Sequence, residues 1–328
     1  MRLLAWFDRE KRQLPWRGTS DPYAIWVSEV MLQQTTVQTV LPRFRPFLRR
    51  FPTIRALARA SLDDVLAAWS GLGYYARARN LHRAANVVAA RHGGRLPPGL
   101  AELRALPGVG DYMAQAIAAI AFGARTFPID ANIRRVASRL SASAAAEEIL
   151  PSLVSARRPG DSVAAIFDLG QTICRPRNPS CGACPVRVSC RAFSLNAVDD
   201  YPPRPARKAL RPFYRCVAAV VSDDGRVLLR RRARGVLSGM WELPGEEGDS
   251  LSSARADFRR SFRTATRRPF ALVEQPIAGR IVRVEIYRAS ARERPGDRWM
   301  SPAEIEKSAS PSLTKKIVRR ISSRAPEA

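Results

Sequence analysis

The sequence predicts a multidomain protein in which an all-α domain is followed by an α+β domain. Residues 1–198 place apolar side chains at three- and four-residue steps, for example in 25–32 and 113–122, which is the period of an amphipathic helix. Residues 199–212 mix prolines with arginines and predict a stiff basic linker, since proline cannot continue a helix. Residues 213–328 change to the two-residue period of strands. A chain of 328 residues is long enough for each domain to bury its own core.

Several segments of the second domain predict its individual elements. A turn signal, Asp223-Asp224-Gly225, lies between two β-rich stretches and predicts a hairpin. A helix and two more strands are expected to follow it. The predicted elements are strands at 214–222 and 226–231, a helix near 254–262, and strands at 271–274 and 281–287.

The charge balance indicates a polyanionic partner. The chain holds 55 Lys and Arg against 29 Asp and Glu, a formal net charge of +26 at pH 7, and nucleic acid is the commonest polyanion that attracts such a protein. Genomic base composition is the alternative source of so many arginines. No apolar run reaches the roughly 18 residues that a membrane helix needs, and residues 1–8 become charged before a signal-peptide core could form. We therefore expect a cytoplasmic protein without a membrane partner.

Four of the five cysteines are clustered with the spacing C-x6-C-x2-C-x5-C. In a chain without a secretory signal, such clustering indicates a metal site rather than disulfides. Four thiolates can enclose either a tetrahedral zinc ion or a [4Fe–4S] cluster, and the spacing alone does not separate the two. Nearby arginines would either present positive charge to phosphate or simply be solvated. The cysteines are Cys174, Cys181, Cys184 and Cys190, and the arginines are Arg175, Arg177, Arg187 and Arg191.

Two glycines mark a tight connection between helices. Gly108, Val109 and Gly110 follow a Leu-Pro pair and precede a helix that starts near Asp111. Glycines let the backbone turn with its amides exposed beside a helix N-terminus, where they bind phosphate oxygens, often with the help of a bound cation. An ordinary turn between helices is the alternative interpretation of the same residues.

Two carboxylates stand out by their surroundings. Asp130 opens a predicted helix, so its ordinary role would be that of an N-cap. Glu29 lies within a largely apolar helix, where an unpaired carboxylate is costly unless it is neutral or has a partner. The alternative for Glu29 is a position on the solvent-facing edge of the apolar stripe.

Three segments near the front of the chain resemble one family closely. They are Leu-Pro-Trp-Arg at 14–17, the run 21–35 that ends in Ser-Glu-Val-Met-Leu-Gln-Gln-Thr, and Gly-Leu-Gly-Tyr-Tyr-Ala-Arg-Ala-Arg-Asn-Leu at 71–81. Together with the glycine hairpin and the cysteine spacing, they resemble the MutY-type adenine DNA glycosylases of the helix-hairpin-helix, endonuclease III superfamily, across nearly all of residues 3–195. The resemblance implies a [4Fe–4S] cluster on the four cysteines, in a cluster loop at 174–190. It also implies that a monomer removes adenine mispaired with 8-oxoguanine or guanine from double-stranded DNA at the nucleoid.

The resemblance also assigns roles to individual residues. Glu29 would be the catalytic acid that protonates N7 of adenine, with its pKa raised by apolar burial, and Asp130 would stay ionised to stabilise an oxocarbenium-like sugar. Asp168 falls where some relatives carry Glu. The remaining assignments place Tyr112 and Asn132 beside the two acids, Arg17, Leu32 and Asp168 in the adenine pocket, and Gln34, Thr35, Tyr74, Gly108, Val109 and Gly110 on the DNA, with Gln34 and Tyr74 entering the base stack.

The second domain resembles the Nudix-like domain of the same family in residues 217–222, 226–231 and 239–245. It is expected to read DNA rather than to hydrolyse nucleotides, or else to be a structural appendage, and no magnesium is needed for the chemistry. Residues 275–280 lack the Phe-Ser-His loop with which relatives inspect 8-oxoguanine. A hydrolytic Nudix box needs clustered Glu to hold magnesium, but those places fall on Leu251, Arg260, Arg263 and Thr264.

Three rival functions can be compared with the sequence. A bifunctional glycosylase/lyase of the endonuclease III kind uses a Lys nucleophile at the place of Tyr112, so this chain is predicted to be monofunctional. A catalytically silent DNA-binding module would gain nothing from Glu29 and Asp130, because acids repel phosphate. A nucleotide pyrophosphohydrolase would need the acidic box that the second domain lacks.

Overall fold

The computed structural model describes residues 2–203, 211–233, 237–264, 267–277 and 279–323. Residues 204–210 of the predicted linker and Ala278 of the 275–280 segment lie outside the described residues. Across the described parts of the chain, no helix combines the length and the apolarity that a membrane span requires.

The first part of the chain is built from helices and short 3-10 turns, which confirms the all-α prediction. Between residues 2 and 203, all of which are described, no strand occurs. The helices are α1 Arg2–Glu10, α2 Pro22–Leu32, α3 Val37–Arg50, α4 Ile54–Arg59, α5 Leu62–Ala68, α6 Ala76–Arg91, α7 Leu100–Arg104, α8 Asp111–Phe122, α9 Ala131–Ser141, α10 Leu150–Leu153, α11 Pro159–Thr172 and α12 Arg191–Ser194.

Two compact units divide the chain, and they do not follow the sequence order. One unit is formed by Met1–Arg59 and Asn80–Ala206, and the other by Ala60–Arg79 and Arg207–Ala328. The predicted domain boundaries at 198 and 213 stay predictions. The segment Ala60–Arg79, which we call the inserted segment, groups with the C-terminal half instead of with its neighbours in sequence.

One hydrophobic core cluster of the first unit forms where α1, α9 and α11 pack together. Helix α9 places its apolar residues at i, i+3, i+4 and i+7, so that one face is continuous and buried. Gly170 of α11 allows the close approach of the two helices, because a Cβ atom there would lie 3.0 Å from Cβ of Asn132. The start of α9 is therefore held against α11. The buried residues of the α9 face are Ile133, Val136, Ala137 and Leu140.

The second unit contains the predicted mixture of strands and helices. Within its described residues, β1 pairs in parallel with β7 and antiparallel with β4, and β7 also pairs antiparallel with β5 and β6. A second sheet has the order β3-β2-β8. The elements are β1 Arg211–Ala219, β2 Val227–Arg231, β3 Trp241–Glu242, β4 Gly245–Gly248, α13 Leu251–Ser261, β5 Arg263–Thr264, β6 Ala271–Ile277, β7 Arg280–Ser290, β8 Arg298–Met300, α14 Pro302–Lys307 and α15 Ser312–Ser322.

The predicted hairpin between 214–222 and 226–231 forms only beside its turn, where the Ser222 amide donates to the Arg226 carbonyl at 2.9 Å and the Leu228 amide to the Val220 carbonyl at 3.0 Å. The chain does turn there, since an isolated antiparallel bridge joins Val221 to Val227. Beyond the bridge the two strands belong to different sheets, because β1 already has β4 and β7 on its edges and β2 has β3 and β8. The turn signal was local, whereas the pairing depends on strands far along the chain.

Candidate active site

Glu29 lies on α2, among residues that are almost all buried. Asp21 caps this helix by accepting a hydrogen bond from the Tyr23 amide at 3.0 Å, and Pro22 occupies the first turn. The Glu29 side chain is partly buried. Burial, followed by the charge of Asp130, raises the pKa of Glu29 to about 7. This acid can therefore hold a proton near neutral pH and release it within the site.

Asp130 is the N-cap of α9, and its negative charge acts on Glu29. One carboxylate oxygen accepts from the Ile133 amide at 2.6 Å, and the other accepts from Nδ2 of Asn132 at 2.9 Å. Both donors complement a negative charge, as does the N-terminal end of the helix. The cap interpretation is thus correct, and it is compatible with a role in the site.

Tyr112 lies in the first turn of α8, where the charges of Glu29 and Asp130 affect its pKa. Burial, and then the charges of Glu29 and Asp130, raise the pKa of Tyr112 above its usual range, so the phenol keeps its proton. Its ring meets that of Phe167 edge to face, with 6.3 Å between the centroids. The structure therefore brings Glu29, Asp130, Tyr112 and Asn132 together from α2, α8 and α9.

Asp168 is buried on α11 and is held by two arginines. Only 1% of the residue is exposed, and it accepts hydrogen bonds from Nε of Arg12 and Nη2 of Arg17, both at 2.7 Å. Arg12 also donates to Oε1 of Gln171 at 2.8 Å. Asp168 therefore holds both guanidinium groups in place. Arg12 was missed from the sequence, although a second arginine five residues before Arg17 was the available signal.

The end of α2 presents the polar residues of the motif. Leu32 is the last helical residue, since the backbone leaves the helical conformation at Gln33 with ψ 116°, and Gln34 then adopts a left-handed conformation with φ 54°. Gln34 is exposed, whereas Leu32 and Thr35 are partly buried. The Thr35 amide donates to the carbonyl of Leu32 at 3.3 Å. Gln34 is thus turned outwards at the end of a helix that is otherwise buried.

The glycine hairpin joins α7 to α8 as the sequence predicts. Gly108 has φ +79°, and a Cβ atom there would lie 2.5 Å from Cβ of Asn80, so only glycine fits. Val109 anchors the turn, since it is buried and its amide donates to Leu106 at 3.0 Å. Gly110 is the N-cap of α8 and provides no side chain to its first amides. Those amides are the ones that a phosphate would engage.

Tyr74 belongs to the inserted segment and is described with the second unit. Gly71, Gly73 and Tyr74 all have positive φ, and Tyr74 is 43% exposed. Arg77 holds this turn by donating to the carbonyls of Leu72 at 3.0 Å and Gly73 at 3.1 Å. Its guanidinium also lies over the ring of Tyr74, 5.5 Å from the centroid. An exposed aromatic ring is therefore displayed on a braced turn.

The four predicted metal ligands are free, partly buried thiols in the cluster loop. Burial raises the pKa of Cys184 to about 11, and the charges of the other three cysteines add to this increase. The thiols therefore lie within electrostatic range of one another. In the part of the chain that is described, no set of three or more His, Cys, Asp and Glu has the arrangement of a metal-ion site. The four arginines that flank the thiols in sequence are exposed.

Two buried arginines on α9 connect the cluster loop to the acids. Arg135 donates to the Cys174 carbonyl at 2.8 Å and to Oδ1 of Asn132 at 2.9 Å. Asn132 in turn donates to Asp130. Arg139 donates to Sγ of Cys174 at 3.4 Å. These residues were also missed, because arginine on a helix in so basic a chain gives no signal of burial.

Two acids of the second unit, Glu242 and Glu247, pair with arginines in or beside the Nudix-like segment 239–245. Glu242 accepts from Arg215 at 2.8 Å and from Arg232 at 3.0 Å, and Arg232 also binds Glu247 at 2.8 Å. Burial alone would raise the pKa of Glu247, but the hydrogen bond from Arg232 and the charges of Arg215 and Arg232 outweigh it and lower that pKa. Carboxylates held in this way are neutralised by protein cations.

Comparisons with known proteins place both parts of the chain. Residues 27–154 match the family model of the HhH-GPD superfamily base excision DNA repair proteins, and residues 216–320 match that of the NUDIX domain. A thermostable thymine-DNA glycosylase has the same helical architecture, with a TM-score of 0.55 and 28% identity over 59% of this chain and 94% of its own. An endonuclease III in complex with DNA, at 21% identity and a TM-score of 0.51, shows the shared fold over 59% of this chain and 92% of its own.

The curated relatives define the family. The adenine DNA glycosylase of Mycobacterium tuberculosis is 41% identical over 214 residues, which cover 62% of this chain and 70% of the relative. That of Arabidopsis thaliana is 36% identical over 310 residues, 78% of this chain and 49% of the relative. The chain thus belongs to the adenine DNA glycosylase family. It spans 49% of the Arabidopsis relative and 59% of the mouse one.

Proposed function

We propose that this protein is a DNA N-glycosylase of base excision repair that removes adenine mispaired with 8-oxoguanine or guanine. The observation that carries the proposal is the pairing of Glu29, with a pKa raised to about 7, with Asp130, whose carboxylate is held by two N–H donors. One acid that gives a proton and one that carries charge are what cleavage of an N-glycosidic bond needs. Membership of the family supplies adenine as the base.

The chemistry follows from these two acids. Adenine must leave the base stack, because its reactive atoms are inaccessible inside a duplex. Glu29 donates its proton to N7, and the bond from the sugar to N9 breaks with both electrons passing to the base. Asp130 stabilises the positive charge on the sugar. Water then adds to the sugar carbon and returns a proton to the site, which leaves free adenine and an abasic sugar.

Further residues would bind the base and the duplex. Arg17 and Leu32 would line the adenine pocket, with Asp168 holding Arg17 in place. The uncapped amides of α8 after Gly110 would bind phosphate. The exposed side chains Gln34 and Tyr74 would enter the base stack, and Thr35 with Gly108 and Val109 would complete the contacts. The protein would act as a monomer in the cytoplasm, at the nucleoid.

A [4Fe–4S] cluster would be held by Cys174, Cys181, Cys184 and Cys190. Partly buried thiols that raise one another's pKa, close to the guanidinium of Arg139, are a suitable donor set. The cluster would crosslink the loop rigidly and would add its own charge there, without taking part in the hydrolysis. Arg135 joins the loop to Asn132, so the loop supports the position of Asp130.

The reaction class is proposed to be monofunctional. Tyr112 stands where a lyase carries its lysine, and the sequence contains no lysine between Lys11 and Lys208. The C-terminal half would read the base opposite adenine. The β6–β7 connection, which lies in the segment without the Phe-Ser-His loop, is short, because Ile277 pairs with Arg280 at its two ends. We therefore expect weaker discrimination between 8-oxoguanine and guanine than in relatives with the Phe-Ser-His loop.

Single-turnover assays with duplexes that pair adenine with 8-oxoguanine, guanine, cytosine or thymine test the function. We expect cleavage of the duplexes that pair adenine with 8-oxoguanine or guanine, and little cleavage of the one that pairs it with thymine. Salt must be matched between duplexes, since a protein of net charge +26 binds all DNA at low ionic strength. An 8-oxoguanine preference that survives deletion of 213–328 would place the reader outside the C-terminal half, and absence of adenine release would refute the function.

A further inference from the structure

The inserted segment Ala60–Arg79 is fastened to the C-terminal half at three points along its length. Asp63 forms an ion pair with Arg231 of β2. Oγ of Ser70 lies 2.8 Å from Nζ of Lys315 on α15. Arg79 donates to the carbonyl of Ser238 at 2.8 Å. A stretch that lies inside the HhH-GPD match in sequence is thus held by the NUDIX part in structure.

Lys315 is the buried member of these contacts. The residue is 7% exposed, whereas Asp63 and Arg231 are both about 40% exposed in their side chains and such surface pairs contribute little. Nζ of Lys315 also donates to the carbonyl of Glu306 at 2.6 Å. That carbonyl belongs to the last turn of α14, where a cation is favourable. A buried ammonium group must keep its partners, so this contact is the strongest of the three.

Ser70 lies at the base of the turn that displays Tyr74. It directly precedes Gly71, and Gly71, Gly73 and Tyr74 all have positive φ. Arg77 braces the far side of the turn through the carbonyls of Leu72 and Gly73. Lys315 therefore fixes the near side of the same turn from the C-terminal half of the chain.

We propose that Lys315 is a positioning residue, which holds the Tyr74 turn through Ser70 so that the C-terminal half takes part in opening the duplex. The proposal rests on the role of Tyr74 in the proposed function. It gives the NUDIX part a task on the adenine side of the mispair, in addition to reading the opposite base.

Hydrogen exchange of the free protein tests the contact without any need for catalysis. The Leu72 amide donates to Trp69 at 3.1 Å and the Arg77 amide to Tyr74 at 2.9 Å, so both report on the turn. Lys315→Met keeps the aliphatic packing and removes the donors, and exchange at these amides should become roughly ten- to hundredfold faster. Ser70→Ala removes the acceptor and should act in the same direction.

Lys316→Met is the matched control, because Lys316 is the exposed neighbour of Lys315 on the same helix and carries the same charge. It should leave exchange at the turn unchanged. Should Lys315→Met fail to fold, Ser70→Ala alone decides the question. Unchanged exchange in the folded variants, or equal acceleration in the Lys316 control, overturns the proposal.

A double-mutant cycle tests the link to Tyr74. Single-turnover adenine release should fall about tenfold in Lys315→Met, and this loss should disappear in a Tyr74→Ala background. Full additivity would show that Lys315 does not act through Tyr74, and would overturn the proposal. Normal release in Tyr74→Ala refutes the role of Tyr74, and no release by the unmutated protein refutes the proposed function, whereas the exchange result reports on the contact in either case.

Discussion

Replacement of Glu29 by Gln should abolish adenine release while duplex binding survives. Glutamine preserves the shape of the side chain but has no acidic proton to give, so only the acid is removed. The pKa of Glu29 is raised from about 4.5 to about 7, which corresponds to about 3 kcal/mol in favour of the protonated form. At pH 7 about half of the molecules then hold the proton, compared with about one in 300 for an ordinary Glu.

The same pKa predicts the pH profile of single-turnover cleavage by the unmutated protein. The rate should be level below pH 6 and should fall about tenfold for each pH unit above 7, as Glu29 loses its proton. Glu10→Gln is a suitable control, since Glu10 is exposed on α1 and its loss should leave the profile unchanged. Near-normal turnover in Glu29→Gln, or a profile without a fall through pH 7, would refute the assignment.

The substitution Glu29→Gln should change stability in the opposite sense to activity. The unfolded chain loses the Glu29 proton near pH 4.5 and the folded protein near pH 7, so the stabilising contribution is complete below 4.5 and is lost as the pH rises to 7. Glu29→Gln should therefore raise the free energy of unfolding at pH 8 by up to about 3 kcal/mol, reduced by the part of the carboxyl that water reaches. Urea unfolding at pH 4 should show no difference, and a destabilised variant at pH 8 would contradict the burial argument.

Three further predictions follow from the site. Asp130→Asn keeps an N-cap but loses the charge, so turnover should fall by about three orders of magnitude at an almost unchanged melting temperature, and near-normal turnover would contradict the role of Asp130. Borohydride should fail to trap the unmutated protein on an adenine mispair, whereas Tyr112→Lys should gain trapping; efficient trapping without the mutation would favour a lyase. The purified protein should be brown and contain iron, and Cys184→Ser should lose the colour and weaken folding or DNA binding. Colourless protein with one zinc per chain would exclude the cluster.

Local signals predicted the parts of the site that depend on neighbouring residues. Glu29 in an apolar helix and Asp130 at a helix start could be interpreted from the sequence, since burial and capping act over a few residues. The hairpin glycines were equally local, and Gly108 has the positive φ that only glycine adopts readily. The structure places these features where the sequence suggested.

Contacts between distant residues could not be predicted in this way. Arg12 meets Asp168 over a separation of 156 residues, and Arg135 meets the Cys174 carbonyl over 39. Arginine is so frequent in this chain that neither position stood out. The pairing of β1 with β7, which limits the hairpin with β2 to the residues beside the turn, likewise depends on which strand edges are left open once the whole sheet has formed.

The contact between Ser70 and Lys315 also constrains the order in which the protein can fold during synthesis. Its two residues are 245 positions apart, and a ribosome that adds about 5–20 residues per second needs about 12–50 s to make that length. During this time α15 does not yet exist, so the inserted segment lacks its partner, while the helices on either side of the segment can already pack. The Tyr74 turn is therefore expected to be the last part of the helical region to become ordered, and a chain released before Lys315 is made should lack it.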